Sequence, residues 1–245
     1  MNTPNLSVLM YHQVGPFPQR PAAHGSCFCD ISSFRRQMAC LKYGGYQVIS
    51  LAEACKALAG ETRLARRSVV LTFDDGYRNF QDHALPVLKR YGYPATVFAV
   101  SGLLGQPARW LADGGANSPL MSAAELRALQ QEGIEIGSHS VTHPRLARLP
   151  IENCRRELAD SKAALEDALG APVASFAYPF GNYTPQVRDA AQASGYQAAL
   201  TCSRGSAYTA PNLYEIPRKA IAWGDNLIGF LWKLQMKRQR KDNYG

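Results

Sequence analysis

Val69-Val70-Leu71-Thr72-Phe73-Asp74-Asp75-Gly76-Tyr77 is a β-branched, apolar run that stops at two adjacent acids and a glycine, the pattern of a buried strand ending in a polar site. Two carboxylates side by side at the mouth of a core strand are costly to ionise together unless a cation or a shared proton compensates. A second strand of this kind lies in Ile134-Glu135-Ile136-Gly137-Ser138-His139-Ser140-Val141-Thr142-His143-Pro144, where two histidines stand four positions apart. If the chain turns helically there, both imidazoles face one point. One aspartate and two histidines then leave a coordination position open, as a catalytic metal requires, and the second aspartate is free to act as a base.

Outward from these strands, strand and helix alternate. Residues 6–12, 46–49, 95–100, 173–178, 197–201 and 213–218 read as strands, the last with Ile221 following in the same region. Residues 31–43, 51–58, 79–90, 122–131, 150–169 and 185–194 read as helices. Asp30 or Ser32 caps the first of them, Ser50 the second, and Ser122 with Glu125 forms a capping box for the fourth. The 150–169 helix carries Leu158, Leu165 and Leu169 on one stripe and ends at Gly170. Such alternation predicts an α/β fold with a parallel sheet.

His12 ends the first strand, where a histidine is either hydrogen-bonded into the structure or part of a site built at strand ends. His83 reads as a surface or capping residue and His24 as exposed in the Pro- and Gly-rich loop 15–30. Segment 102–119 is irregular and contains Trp110 and Asp113; Trp110 reads as pinning this loop rather than stacking on a sugar. The strand 173–178 stops at Pro179-Phe180-Gly181, where rigid Pro179 before a turn glycine can hold a backbone N–H towards a developing oxyanion.

Thr72-Phe73-Asp74-Asp75-Gly76, His139-Ser140-Val141-Thr142-His143 and Phe176-Ala177-Tyr178-Pro179-Phe180-Gly181 resemble, in order, the first three motifs of the polysaccharide deacetylases with a NodB-homology domain, carbohydrate esterase family 4. The resemblance spans roughly residues 6–222 and implies an irregular (β/α) barrel of about seven parallel strands, with residues 223–245 an appended apolar helix and basic tail. It also implies metal-dependent removal of an N-acetyl group from an amino sugar. Asp75, His139 and His143 would hold a divalent ion, Zn2+ foremost, with Co2+, Ni2+, Fe2+ or Mn2+ as alternatives for the same donors. Asp74 would be the general base and the Phe180 amide the oxyanion donor. Two positions depart from the pattern. Ala177 stands where the third motif often has an arginine that orients the base, and Arg218 or Lys219 is expected to replace it. No histidine follows His143, and Tyr11-His12 resembles a rearranged version in which a first-strand histidine is the general acid.

At 245 residues and 46% hydrophobic content the chain suits one barrel-sized domain. The N-terminus shows no secretory pattern, and Cys27, Cys29, Cys40, Cys55, Cys154 and Cys202 lack zinc-ribbon pairing, so they read as reduced thiols in a cytoplasmic protein. From Lys233 onwards five basic residues and one acid carry +4 of the formal +8. The remaining charge forms no Lys/Arg stripe interleaved with aromatics, which argues against nucleic acid. The apolar cluster Leu227, Ile228, Phe230, Leu231, Trp232, Leu234 and Met236 before that tail either packs on the barrel or rests on anionic lipid. The expected partner is an N-acetylated glycan or lipid-linked sugar. Two other readings remain open: a metal-dependent amidohydrolase of small non-sugar amides, and a catalytically silent glycan-binding or membrane-associated protein.

Overall fold

The structure, a computed structural model, describes residues 5–16, 27–111 and 119–235. His24, Asp113 and the basic tail from Met236 onwards lie outside the described residues, as does most of the 15–30 loop.

Ten strands, β1 Asn5–Tyr11, β2 Gln13–Gly15, β3 Phe28–Asp30, β4 Gln47–Val48, β5 Arg67–Phe73, β6 Thr96–Ala99, β7 Glu135–Ser138, β8 Ser175–Ala177, β9 Ala198–Leu200 and β10 Lys219–Ala220, interleave with seven α-helices among the described residues. The helices are α1 Ile31–Tyr43, α2 Leu51–Leu58, α3 Leu85–Tyr91, α4 Ala123–Gln131, α5 Ile151–Leu169, α6 Pro185–Ala193 and α7 Leu227–Gln235. The main sheet runs β10-β1-β5-β6-β7-β8-β9 with β4 also on β5, and its pairs are parallel. This is the irregular (β/α) barrel type expected, with seven strands along the main path and β4 as an eighth beside β5.

The strands are apolar on both faces because both are covered. Leu9, Val69, Leu71, Val97 and Ile136 face the outer helices, packing with Phe34, Met38 and Leu41 of α1 and Leu158 and Leu165 of α5. The alternate residues Leu6, Val8, Val70, Phe98, Ala177 and Leu200 fill the interior together with Leu51 and Ala54 of α2. Gly137 is required here, since a Cβ would meet the Phe98 ring at 2.5 Å.

Helix starts follow their caps: Asp30 accepts from the Ser32 and Ser33 amides, and Ser50/Glu53 and Ser122/Glu125 close capping boxes. The helix expected over 79–90 opens instead as a π turn, Phe80–Ala84, before α3. Pro86 cannot donate to the preceding turn, and the wider turn accommodates it. His83 of that turn packs beneath Gly15, where a Cβ would stand 2.9 Å from its ring.

The strand expected over 213–218 is also corrected. Ile216 pairs with Leu200 over a single bridge, and the strand proper is Lys219–Ala220, paired with β1. Pro217 has no N–H to continue the ladder. The segment therefore leaves one sheet edge at Ile216 and joins the other at Lys219, linking β9 to β1.

Helix α7 docks against this seam, with Phe230 and Leu234 buried. Near its C-terminal end the Leu234 carbonyl accepts from Asn5 Nδ2 at 2.5 Å, Ser7 Oγ at 3.1 Å and Lys219 Nζ at 3.2 Å. Lys219 also donates to Ser7 Oγ at 2.8 Å. Burial pushes the Lys219 ammonium down to about 7. Below that pH Lys219 is charged in both folded and unfolded chains; between about 7 and 10.5 only the unfolded chain holds the proton. Stability should therefore rise with pH through this window, by up to about 1.4 kcal/mol per unit. Lys219→Met should flatten this rise in urea titrations at pH 7 and 9; an unchanged slope in the variant would refute it.

Candidate active site

All the sequence-selected site residues gather at the C-terminal ends of the parallel strands. Asp74 and Asp75 follow β5, His12 follows β1, His139 follows β7, and Phe180 lies in the 3-10 turn Pro179–Gly181 after β8. Asp75 Oδ1 stands 3.3 Å from His139 Nε2 and 3.2 Å from His143 Nε2. The ligand atoms of these three buried residues lie within 4.8 Å of one another, the single such group among the described residues.

The histidine pair converges differently from expectation. Residues 139–143 form a bend rather than a helical turn, with Ser140 at φ 68° and His143 at φ 60°. His143 N donates to Ser140 Oγ at 3.0 Å, closing the bend. Asp75 at φ 73° and Phe180 at φ 58° complete the described non-glycine residues in the left-handed region, and all four belong to the three motifs. Each such residue costs about 1–3 kcal/mol. That cost falling only on these motifs marks the site independently of residue type.

The donor set fits a cation. His139 Nδ1 lies 2.7 Å from the Ala177 carbonyl, to which it donates, leaving the Nε2 lone pair directed at Asp75. Asp75 Oδ1 is buried with no hydrogen-bond partner among the described residues, an acceptor facing the two imidazole Nε2 atoms as one ligand of a shared cation would. Burial raises the Asp75 carboxyl, but the two imidazoles facing it at 3.2 and 3.3 Å outweigh burial and hold it well below the usual range. For the imidazoles burial opposes protonation; Asp75 and Asp74 overcome it at His139, whose pKa is raised, whereas at His143 burial prevails.

Asp74 is held apart from this trio. Its amide donates to the Tyr11 carbonyl at 2.9 Å, and its carboxylate receives Arg218 Nη1 at 2.6 Å and Nη2 at 2.7 Å. Arg218 is fixed in turn by Thr72 Oγ1 at 3.2 Å and by the Thr201 carbonyl, to which Nε donates at 2.9 Å. Burial raises Asp74, and the Arg218 charge, His139 and the Arg218 hydrogen bonds more than offset it, leaving the carboxyl below its ordinary value. Between the two candidates for the role vacated at Ala177, the geometry selects Arg218; Lys219 points to Ser7 and α7.

His12 is half-buried, its Nδ1 has no hydrogen-bond partner, and its charge bears on both Asp74 and Asp75. Trp110 stacks on the His143 ring at 4.1 Å, and Phe180 meets the same ring edge-on at 4.5 Å. Trp110 thus braces a site histidine. Residues that the sequence reading passed over include Tyr77, whose buried phenol is pushed up first by desolvation and then by the Asp75 charge. Arg145 was also passed over; its guanidinium lies 4.5 Å from the Phe180 ring centre. Position within or beside a motif was the only available signal for either.

Residues 61–199 match the polysaccharide deacetylase family, more than half of the chain. The Bacillus subtilis protein YxkH, which carries a polysaccharide deacetylase name, is 30% identical over 220 residues, covering 89% of this chain and 72% of that one. The chain belongs to the polysaccharide deacetylase family. Its members are carbohydrate N-deacetylases of carbohydrate esterase family 4. The Streptococcus pyogenes deacetylase PplD, solved with acetate, superposes with a TM-score of 0.83 at 27% identity, over 95% of this chain and all of that one. A shorter match, 39% identity over 77 residues, links the deacetylase to the poly-β-1,6-N-acetyl-D-glucosamine N-deacetylase of Escherichia coli, covering 31% of this chain and 12% of that enzyme. In this polysaccharide deacetylase Ala177 stands at the third-motif arginine position, and the Arg218 guanidinium pairs with Asp74.

Proposed function

We propose that this chain hydrolyses the N-acetyl group of an amino sugar in a polysaccharide, oligosaccharide or lipid-linked glycan. The observation that carries the reading is the buried Asp75-His139-His143 trio beside an ionised, arginine-paired Asp74. Asp75, His139 and His143 would hold a divalent cation, Zn2+ foremost, with Co2+, Ni2+, Fe2+ or Mn2+ accepted by the same donors. When bound, such an ion supplies Lewis acidity, lowering the pKa of a water and polarising the acetyl carbonyl. Asp74 takes the proton of the attacking water, and Arg218 keeps it ionised to do so. The Phe180 backbone N–H, set by its left-handed φ, donates to the tetrahedral oxyanion. His12 protonates the departing amine.

Acetate release from a panel of N-acetylated oligosaccharides, lipid-linked sugars and small non-sugar amides, with and without chelator, tests this reading. Chelator-sensitive release from the sugars is expected. Hydrolysis confined to the non-sugar amides would favour the amidohydrolase reading, and no release from any substrate would favour the silent one. His12→Ala should keep the metal and lose most turnover; unchanged activity would remove His12 from the mechanism.

We further place the protein in the cytoplasm, with residues 1–222 as the deacetylase domain and 223–245 as an element resting on an anionic membrane surface. No described helix is long and apolar enough to cross a membrane. Trp223, Leu227, Ile228 and Trp232 remain 40–78% exposed although α7 is docked, and the basic run Lys237-Arg238-Gln239-Arg240-Lys241 follows them. The protein should sediment with phosphatidylserine vesicles at low salt, and Trp232→Ser should reduce this; equal recovery with neutral vesicles would defeat the contact.

A further inference from the structure

The bend that carries His143 is held from both sides. From one side the turn after β6 grips it: Ser101 N donates to the Ser140 carbonyl at 3.1 Å and Gly102 N to the Val141 carbonyl at 2.9 Å. A Cβ at residue 102 would stand 2.7 Å from that Val141 oxygen, so this approach requires glycine. From the other side a single carboxylate, Glu157 of α5, receives the Val141 amide at 2.8 Å, the Thr142 amide at 2.9 Å and the Thr142 hydroxyl at 2.7 Å.

These three donors are consecutive groups in the stretch between the two histidines, and the residues bracketing them, Ser140 and His143, are the strained ones. A bend with two non-glycine residues in the left-handed region relaxes unless its surroundings over-determine it. Glu157 does so with charge-assisted bonds, roughly twice the strength of neutral ones. It is half-buried, and no Lys or Arg ion pair competes for it among the described residues. Its neighbours on the outer face of α5 are different: Glu152 pairs with Arg155 and reaches no loop.

We infer that Glu157 is a positioning residue for the metal centre, a carboxylate that touches neither substrate nor ion and fixes His143 Nε2 against Asp75 and His139 by holding the backbone between the histidines. The inference rests on the deacetylase reading for what the centre does, and on the geometry alone for what holds it. Losing Glu157 frees two amides and a hydroxyl to find water, and the bend relaxes towards ordinary backbone angles. His143 then swings away while His139, locked to the Ala177 carbonyl, stays. Partners of this outer kind typically contribute 10–100-fold in metal affinity.

The experiment is competition for Zn2+ against a chromogenic chelator, run on the full chain without substrate, together with the melting temperature of the metal-free protein. Glu157→Ala should weaken Zn2+ binding about 10–100-fold with little change in the metal-free melting temperature. Glu157→Gln keeps one acceptor oxygen and should fall between Ala and the parent; it is read alone if the Ala variant does not fold. Glu152→Ala removes the same charge from the same helix and should leave affinity unchanged. Affinity within twofold for Glu157→Ala, an equal loss for Glu152→Ala, or a loss accounted for by metal-free melting would overturn the assignment. Failure of the parent chain to bind Zn2+, Co2+, Ni2+, Fe2+ or Mn2+ would instead remove the metal-dependent deacetylase reading.

Discussion

Arg218→Met should lose about 3–5 kcal/mol of folding stability, because it leaves the Asp74 carboxylate buried with no countercharge. The pair is bidentate, its side chains are 0% and 2% exposed, and both guanidinium nitrogens that reach Asp74 are within 2.7 Å. Arg218→Lys should recover part of the loss, since an ammonium supplies charge without the planar fork. Activity should carry a second signature. Asp74 is held below its ordinary value by a net balance in which burial is offset by Arg218. Without that guanidinium its pKa rises, so the acid limb of kcat should move to higher pH. The sign for stability is the same: the contribution exists above the ordinary carboxylate range and is lost as pH falls through the folded value. Urea denaturation of single and double variants gives the test, with Asp74→Asn/Arg218→Met expected to be more stable than Arg218→Met. A loss under 1 kcal/mol would mean that the pair is not the support for the base.

Asp74→Asn should reduce kcat by about 10²–10⁴, the contribution of a positioned general base. Asparagine preserves shape and can still accept from Arg218, yet it cannot take a proton. Zn2+ affinity should survive, because Asp74 is not among the convergent trio. Asp75→Asn should show the reverse order of effects, losing metal first. Turnover and chelator competition measured on the same preparations separate the two. Equal loss of metal in both variants would merge the roles that the structure keeps apart.

The convergence of the two acids and two histidines was legible in the sequence because strand ends, residue types and motif order all pointed to one place. Alternation gave the α/β fold with its parallel sheet, the family resemblance implied the barrel, and caps at Asp30, Ser50 and Ser122 placed helix starts closely. What was not legible is what depends on tertiary closure. The bend at 139–143 looks helical from its spacing, since nothing in Ser140 or His143 announces a left-handed backbone. The choice between Arg218 and Lys219 turns on one residue at the entry to β10, where adjacent side chains go opposite ways, Arg218 to Asp74 and Lys219 to Ser7. Pro217 carried the hint that the last strand begins later, but apolar Leu213 and Ile216 outweighed it. Glu157, sixteen positions beyond Val141, is one acid among many on a helix until the fold brings the two together.

The seam through residues 216–220 has a consequence for biosynthesis. The matched family span ends at residue 199, and the trio of candidate ligands is complete well before that. The guanidinium that pairs with the neighbouring Asp74 carboxylate comes later, on the same few residues that fasten the sheet's last edge to its first strand. A nascent chain emerging as far as residue 210 would already own the trio of candidate ligands yet have neither a sealed interior nor a countercharge for Asp74. Closure of the sheet and the countercharge for Asp74 therefore arrive together, on one short segment of the chain.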